Sequence, residues 1–450
     1  MVTLAKIGTG AARAAILLVG AAAIAMPATA VAKEKKKEEA PAGPQLSPEF
    51  RKAAVPADQA LRAINDKLKV SMATDVSADL TAADPLVAAA EAAAKTEDDT
   101  YYKLSLRLKL EDMRAQAASK GDANLYRQKE GPLIEPLKAL IAHPRSSQAE
   151  RAIYLNRLGE HAYDLKDYAG ALAYFQQAKA AGSTASNLGL NIVRAKTEGG
   201  DIAGGIAEMK ALIAAERAAG RTPPESWYLY ARAKANGAKM TVEFLDWTKV
   251  WLAAYPTAKN WRDALVYYGF QGPYKLDKRE RIDIWRLLRM AKSLGDQNDY
   301  AEYAQNLFDV GLPEEAKAVI EEGRAAGKVP ATGGPNAMIM SDAVAAIKAE
   351  GPLDALAKKA AAAPNGILAA ATGDGYLGAG DYAHAIELYQ LALKKGGVAK
   401  PEEVLTHLAI AQARSGDRAS AKATFAMVKS PPRADIASFW MLWLDSTPAA

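Results

Sequence analysis

Apolar residues recur three or four positions apart along most of the chain from Pro48 onward, with polar residues between them. This spacing places the apolar side chains on one face of an α-helix. Alanine is abundant and clusters of β-branched residues are rare, which favours helix over strand. Gly-Asp pairs, prolines and Gly-Gly pairs interrupt the pattern about every 15–20 residues, as helix ends do. The pattern therefore predicts an all-α protein.

The segment 152–183 carries the residue pattern of a known helical repeat. Its key positions hold Leu155, Leu158, Gly159, Ala162, Ala171, Phe175 and Ala178, and Tyr168 fills the aromatic position before the second helix. The segment resembles the tetratricopeptide repeat, a helix–turn–helix unit of about 34 residues.

Further copies of the pattern begin at Ser186, near Tyr300, at Gly366 and 36 residues after Gly366. The last two contain Gly373, Ala385, Tyr389, Ala421 and Phe425 at the key positions. The final copy departs from the pattern at Gln412 and Val428. The resemblance implies a right-handed α-solenoid of stacked antiparallel helix pairs. Small residues then allow the two helices of a pair to approach, and the aromatic residues fill the groove toward the next pair.

The chain divides by composition into five segments. We assign 1–32 as a signal peptide, 33–47 as a flexible charged and Pro-rich lead, 48–150 as an atypical helical segment, 151–327 as a repeat solenoid with an aromatic-rich centre, and 338–450 as C-terminal repeats with a capping helix. The Pro/Gly-rich stretch 328–337 is the predicted break between the two solenoids.

The first 32 residues have the order of a secretory signal. Lys6 and Arg13 precede an apolar stretch from Ala14 to Met26, and small residues follow, with cleavage expected after Ala30 or Ala32. An uncleaved anchor is the alternative, but the stretch is short and Ala-rich, and lysines follow it on the outer side. We expect a periplasmic protein without a stable membrane span.

Composition narrows the chemistry that the chain could perform. It has no cysteine and 4 histidines, and the histidines are too scattered for a metal site. Without residues 1–32 the net charge falls from +5 to about +3, which gives no reason to expect nucleic-acid binding. Gly373, Gly375 and Gly378 match the dinucleotide motif G-x-G-x-x-G, but they fall inside a repeat helix, so we interpret them as packing glycines. We predict no cofactor, no metal and no enzymatic activity.

Aromatic residues concentrate between residues 227 and 285, and a basic stretch follows them. One interpretation is a partner-binding groove that consists of Trp227, Tyr230, Trp247, Trp251, Trp261, Tyr268, Arg279, Arg286 and Arg289. The alternative is that most of these aromatics fill gaps between irregular helix pairs. A second group, Phe439, Trp440 and Trp443, is expected to cap the last repeat or to form a docking patch.

The resemblance implies a non-enzymatic periplasmic scaffold that binds a protein or peptide partner in the cell envelope. A carbohydrate-binding accessory protein of polysaccharide export or the cell wall is the alternative, with a glycan stacked on the aromatic cluster. The sequence names neither the partner nor the oligomeric state.

Overall fold

The structure is a computed structural model and describes residues 45–446. This range folds into 22 α-helices and contains no strand. The first ten are α1 (Pro48–Val70), α2 (Ser77–Ala93), α3 (Glu97–Ser119), α4 (Ala123–Lys129), α5 (Ile134–Ala142), α6 (Gln148–Asp164), α7 (Tyr168–Ala180), α8 (Leu188–Glu198), α9 (Ile202–Ala218) and α10 (Glu225–Gly237).

The remaining helices are α11 (Thr241–Ala254), α12 (Ala258–Val266), α13 (Lys278–Met290), α14 (Gln297–Asp309), α15 (Pro313–Ala325), α16 (Gly334–Glu350), α17 (Leu353–Ala362), α18 (Ile367–Ala379), α19 (Tyr382–Lys395), α20 (Pro401–Ser415), α21 (Arg418–Phe425) and α22 (Arg433–Ser446). The chain forms two compact units that divide between Met240 and Thr241. Unit 1 contains α1–α10 and unit 2 contains α11–α22. No helix within residues 45–446 is both long and apolar enough to cross a bilayer.

Consecutive helices pack against each other in pairs, among them α1 with α2, α6 with α7, α8 with α9, α18 with α19, and α20 with α21. The turns inside these pairs are short, so the two helices run antiparallel. The predicted fold class, an all-α solenoid of stacked antiparallel helix pairs, is confirmed.

The repeat residues lie where the helices of a pair approach each other. A Cβ atom on Gly159 would lie 2.5 Å from the ring of Phe175, and one on Gly373 would lie 2.9 Å from the ring of Tyr389. Neither helix pair could close to its present distance with a larger side chain at these positions. The other predicted packing residues, Leu158, Ala171, Ala385, Ala421 and Phe425, are all buried.

The turn inside each pair has a recurring structure. The residue before a capping aspartate adopts a left-handed conformation, with φ of +97° at Gly200, +85° at Gly380 and +91° at Gly416. The following aspartate then accepts a hydrogen bond from the first turn of the second helix, as Asp381 does from the His384 N–H. Lys166 holds the same position in the α6–α7 turn with φ of +64°. A lysine there pays a steric cost that the glycines avoid.

The glycines of the G-x-G-x-x-G motif lie inside α18 and are buried. Cβ atoms on Gly375 and Gly378 would lie 2.8 Å from the Leu353 side chain and 2.7 Å from the backbone nitrogen of Glu315. These glycines therefore allow α17 and α15 to pack closely on α18, as expected for packing residues.

Unit 2 is closed by its last helix. Helix α22 contacts α20 and α21 and also α11 and α13 at the beginning of the unit. Phe439 and Trp440 of α22 are fully buried, and Trp443 is nearly so. These aromatics pack in the core of unit 2 and do not form an exposed docking patch.

Two predicted boundaries differ from the structure. The predicted lead includes Leu46 and Ser47, but Leu46 is buried, and Ser47 caps α1 and binds Asp99 through its N–H and hydroxyl. The division between units lies at Met240 and Thr241, whereas we expected a break at 328–337. Val329 in that stretch is buried, and α16 beyond it packs on α14 and α15.

The signal peptide 1–32 and the lead up to residue 44 lie outside the described residues, as do residues 447–450.

Candidate functional site

A strip of polar side chains crosses three helices of unit 1, α6, α8 and α10. We call it the α6–α8–α10 face. Its members are Asn156, Glu160 and Tyr163 on α6, Asn191, Arg194, Thr197 and Glu198 on α8 with Asn187 at its N-cap, and Trp227, Tyr230 and Lys234 on α10. Short turns and the intervening helices α7 and α9 set these three helices parallel, which brings equivalent positions side by side.

Three asparagine amides converge on one carboxylate of this face. The Nδ2 atoms of Asn187, Asn191 and Asn156 lie 2.7, 3.4 and 3.4 Å from Glu160 Oε1. The side-chain oxygen of Asn156 is buried and has no hydrogen-bond partner in the described part of the chain. Amides that both donate and accept match the alternating groups of a peptide backbone.

Tyr230 links α10 to α8 at the other end of the face. Its hydroxyl lies 2.6 Å from Thr197 Oγ1 and donates to Glu198 Oε1 at 3.3 Å, and Lys234 binds the same carboxylate at 2.7 Å. Burial raises the pKa of Tyr230 to about 12, so the hydroxyl stays protonated at neutral pH. Trp227, one turn earlier, is half-buried.

Unit 2 holds a second polar cluster, and this one is closed to solvent. We call it the buried ionic network. Its members are Asp283, Arg286, Tyr303, Glu315, Asp374, Tyr389, His407 and Arg433, all of them less than a tenth exposed. They come from seven helices, α13, α14, α15, α18, α19, α20 and α22.

Arg286 and Asp283 hold the centre of the network. Arg286 Nη1 binds Asp283 at 2.9 Å, and Arg286 Nη2 binds Glu315 at 2.6 Å. Asp283 also binds Arg433 at 2.7 Å. Each carboxylate and guanidinium thus has an opposite charge in contact, which buried ions require.

His407 lies between two carboxylates. Its Nδ1 is 2.7 Å from Asp374 Oδ1, and its Nε2 is 3.3 Å from Asp283 Oδ1 without hydrogen-bond alignment. Burial lowers the pKa of His407, but the charges of Asp374 and Asp283 outweigh burial and raise it to about 9. Burial likewise raises the pKa of Asp374, and His407 outweighs it and lowers that pKa to about 2. The histidine is therefore a cation at neutral pH.

The predicted aromatic groove is not formed. Trp247, Trp251, Trp261 and Tyr268 lie in the core of unit 2, and Trp251 is only 2% exposed. Trp227 and Tyr230 belong to unit 1 instead. The large rings fill space between irregular helices, which is the packing alternative that the sequence left open, and they offer no stacking surface for a glycan.

The predicted basic residues do bind acidic groups, but those groups are in the chain itself. Arg286 is 1% exposed and is held in the buried ionic network. Arg279 lies 3.2 Å from Glu403 and 3.4 Å from Asp374, and Arg289 lies 2.7 Å from Glu322. None of these arginines is left to bind the acidic groups of a partner.

The sequence analysis did not identify the acidic members of the buried ionic network, Asp283, Glu315 and Asp374. It also did not identify the asparagines of unit 1. Asp374 between two glycines and His407 in the apolar run LTHLAIAQA are polar residues on faces that should be buried. Such a residue indicates an internal partner. No sequence signal identifies which helix supplies that partner.

No known family model and no curated protein matches the chain. Solved structures that match include the pentatricopeptide repeat protein PPR10 from maize, at 13% identity and a TM-score of 0.24. The match covers 88% of this chain and 66% of that protein, just under two thirds of its length.

Proposed function

We propose that this chain is a non-catalytic binding scaffold, with tetratricopeptide-like repeats, that holds an extended segment of a protein partner on the α6–α8–α10 face. The observation that carries the proposal is the row of asparagine, tyrosine and charged side chains contributed by α6, α8 and α10. An extended peptide repeats its N–H and C=O groups about every 3.3 Å. A continuous polar strip across parallel helices supplies matching donors and acceptors.

The half-buried aromatics on the same strip support a peptide ligand. Trp227, Tyr163 and Tyr230 present amphipathic rings beside the polar groups. Aromatic residues of this kind dominate the energetics of protein interfaces because they bury much apolar area at little entropic cost.

The burial and mutual pairing of the titratable groups in unit 2 support a non-catalytic role. The groups with strongly shifted pKa values in unit 2 are buried and paired with each other. A general acid or base must reach the proton that it transfers. His407, Asp374 and Glu315 are instead enclosed by helices and satisfied by internal partners.

A peptide-display selection on the full chain tests the proposal. We expect enriched peptides to bind the wild type and to lose about tenfold or more in affinity with Asn187→Ala plus Asn191→Ala, since each lost hydrogen bond costs about 1 kcal/mol. Asn298→Ala is the matched control, because Asn298 is an exposed asparagine of α14 in unit 2. Equal binding by all three proteins, or no enriched peptide at all, would exclude this face as the site.

We further propose that the scaffold works in the bacterial periplasm, on the basis of the signal pattern in residues 1–32. Cell fractionation with mass spectrometry of the mature chain tests this. We expect a periplasmic chain that begins after Ala30 or Ala32, and a variant without residues 2–32 retained in the cytoplasm. A full-length cytoplasmic wild-type chain would contradict the proposal.

A further inference from the structure

Arg194, in the middle of the α6–α8–α10 face, has no counter-charge. It is half-buried, and its guanidinium forms no ion pair and no hydrogen bond with residues 45–446. Several other partly buried arginines of unit 1 are paired with carboxylates. Arg157, for example, binds Asp112 and Glu130, and Arg107 binds Glu91. A guanidinium without an internal counter-charge is available to bind an anion from outside.

The groups around Arg194 do not neutralise its charge. The charge of Arg194 acts on the hydroxyls of Tyr163 and Tyr230, lowering pKa values that burial raises, so it lies within electrostatic range of both. The nearest acidic residues of the face are engaged elsewhere. Glu160 receives three asparagine amides, and Glu198 is bound by Lys234 and Tyr230.

We infer that Arg194 binds the carboxylate of an aspartate or glutamate side chain within the extended peptide, an inference that rests on the proposed function. The planar guanidinium matches a carboxylate with two parallel hydrogen bonds. Arg194 lies between Asn187 and Asn191 on one side and Glu198 with Lys234 on the other. A peptide on this face therefore continues past Arg194 in both directions, which selects a side chain rather than a chain terminus.

The charge balance of the face favours one carboxylate over a polyanion. Lys234 is paired with Glu198, so Arg194 is the single cation of the strip without a counter-charge. A nucleic acid needs several cations along its backbone, and Glu160 and Glu198 would repel its phosphates.

The test is a display selection from a random peptide library on four versions of the full chain. We expect the wild type and Arg194→Lys to enrich peptides with Asp or Glu at one internal position, and Arg194→Glu to enrich Lys or Arg there. Arg51→Glu is the matched control, since Arg51 is an exposed arginine of unit 1 that also lacks an ion pair, and it should keep the acidic preference. Replacing the enriched Asp by Asn should weaken wild-type binding about tenfold or more, and it should not weaken binding to Arg194→Glu, whose carboxylate repels the Asp.

The outcomes separate this inference from the proposed function. If no library peptide is enriched, the proposed function fails. If peptides bind through the asparagines but show no acidic position, only the role of Arg194 is wrong. Loss of binding on amidation of the peptide's C-terminus, with no dependence on Asp or Glu, would assign Arg194 to a terminal carboxylate instead. If a poly(U) RNA probe binds in an Arg194-dependent way and no acidic peptide is enriched, the inference that Arg194 binds an acidic side chain is also wrong. Thermal unfolding followed by circular dichroism confirms that each variant is folded.

Discussion

Arg286 and Glu315 form a two-point ion pair in the interior of unit 2. Both Nε and Nη2 of Arg286 bind the carboxylate, at 3.1 and 2.6 Å, and the Tyr303 hydroxyl donates to the same carboxylate at 2.7 Å. Both charged side chains are almost completely buried. The pair ties α13 to α15 and forms one side of the network that includes His407.

Removing one partner of this pair leaves a buried charge with too little compensation. We expect Glu315→Ala to lower the free energy of unfolding of unit 2 by about 3–5 kcal/mol. Glu322→Ala on the same helix removes the partner of Arg289, but Glu322 is 44% exposed, so the loss should stay below about 1 kcal/mol. The stability of both variants is measured by urea unfolding monitored by tryptophan fluorescence. This signal reports on unit 2, because every tryptophan except Trp227 lies there. Similar losses for the two variants would contradict a stabilising network.

The charge of His407 makes the stability of unit 2 depend on pH. The pKa is raised in the folded state from 6.5 to about 9, so its contribution is complete below pH 6.5 and is lost as the pH rises through 9. We expect a decrease of about 2–3 kcal/mol between these pH values. Urea unfolding at several pH values measures it.

Two histidine variants provide the controls for this pH dependence. His407→Gln should be less stable than wild type and should show a much flatter profile between pH 6.5 and 9. His384→Gln, at an exposed position of α19 in the same unit, should keep the wild-type slope. A His407→Gln profile as steep as that of the wild type would assign the dependence to another group.

Gly378 sets the distance between α18 and α15. An added Cβ would lie 2.7 Å from the Glu315 backbone nitrogen, which cannot move aside as a side-chain end can. We expect Gly378→Ala to destabilise the chain by about 1–3 kcal/mol in urea unfolding. Gly237→Ala is the control, since a Cβ there meets no atom within 4 Å, and it should cause no loss. Unchanged stability of Gly378→Ala would show that the two helices can separate freely.

Lys166 occupies a position that suits glycine. Its φ of +64° is left-handed, and the equivalent residues in three other turns are Gly200, Gly380 and Gly416. We expect Lys166→Gly to raise the stability of unit 1 by about 0.5–1 kcal/mol, measured by urea unfolding with circular dichroism. The reverse change, Gly416→Lys, should lower the stability of unit 2 by a similar amount. A loss in Lys166→Gly would mean that the lysine side chain contributes more than its backbone strain costs.

The helices, the repeat pattern and its packing residues could be predicted from the amino-acid sequence. Helix periodicity is local, and the approach of two helices joined by a short turn depends on small residues close in the chain, such as Gly159 opposite Phe175. The capping aspartates are local too, since Asp381 binds an N–H three residues later. Such features are readable because their interacting partners are near in sequence.

Which polar and aromatic residues are buried, and which are available to a partner, depends on packing between segments that are distant in the chain. Trp251 and Arg286 were expected on a groove, but α22 closes unit 2, and the buried ionic network occupies its interior. Asp283 and Arg433 are 150 residues apart, and no periodicity links them. Whether a helix face meets solvent or another helix depends on contacts between distant segments. For this reason the asparagines and Arg194 of unit 1 form the candidate site, and the predicted aromatic cluster does not.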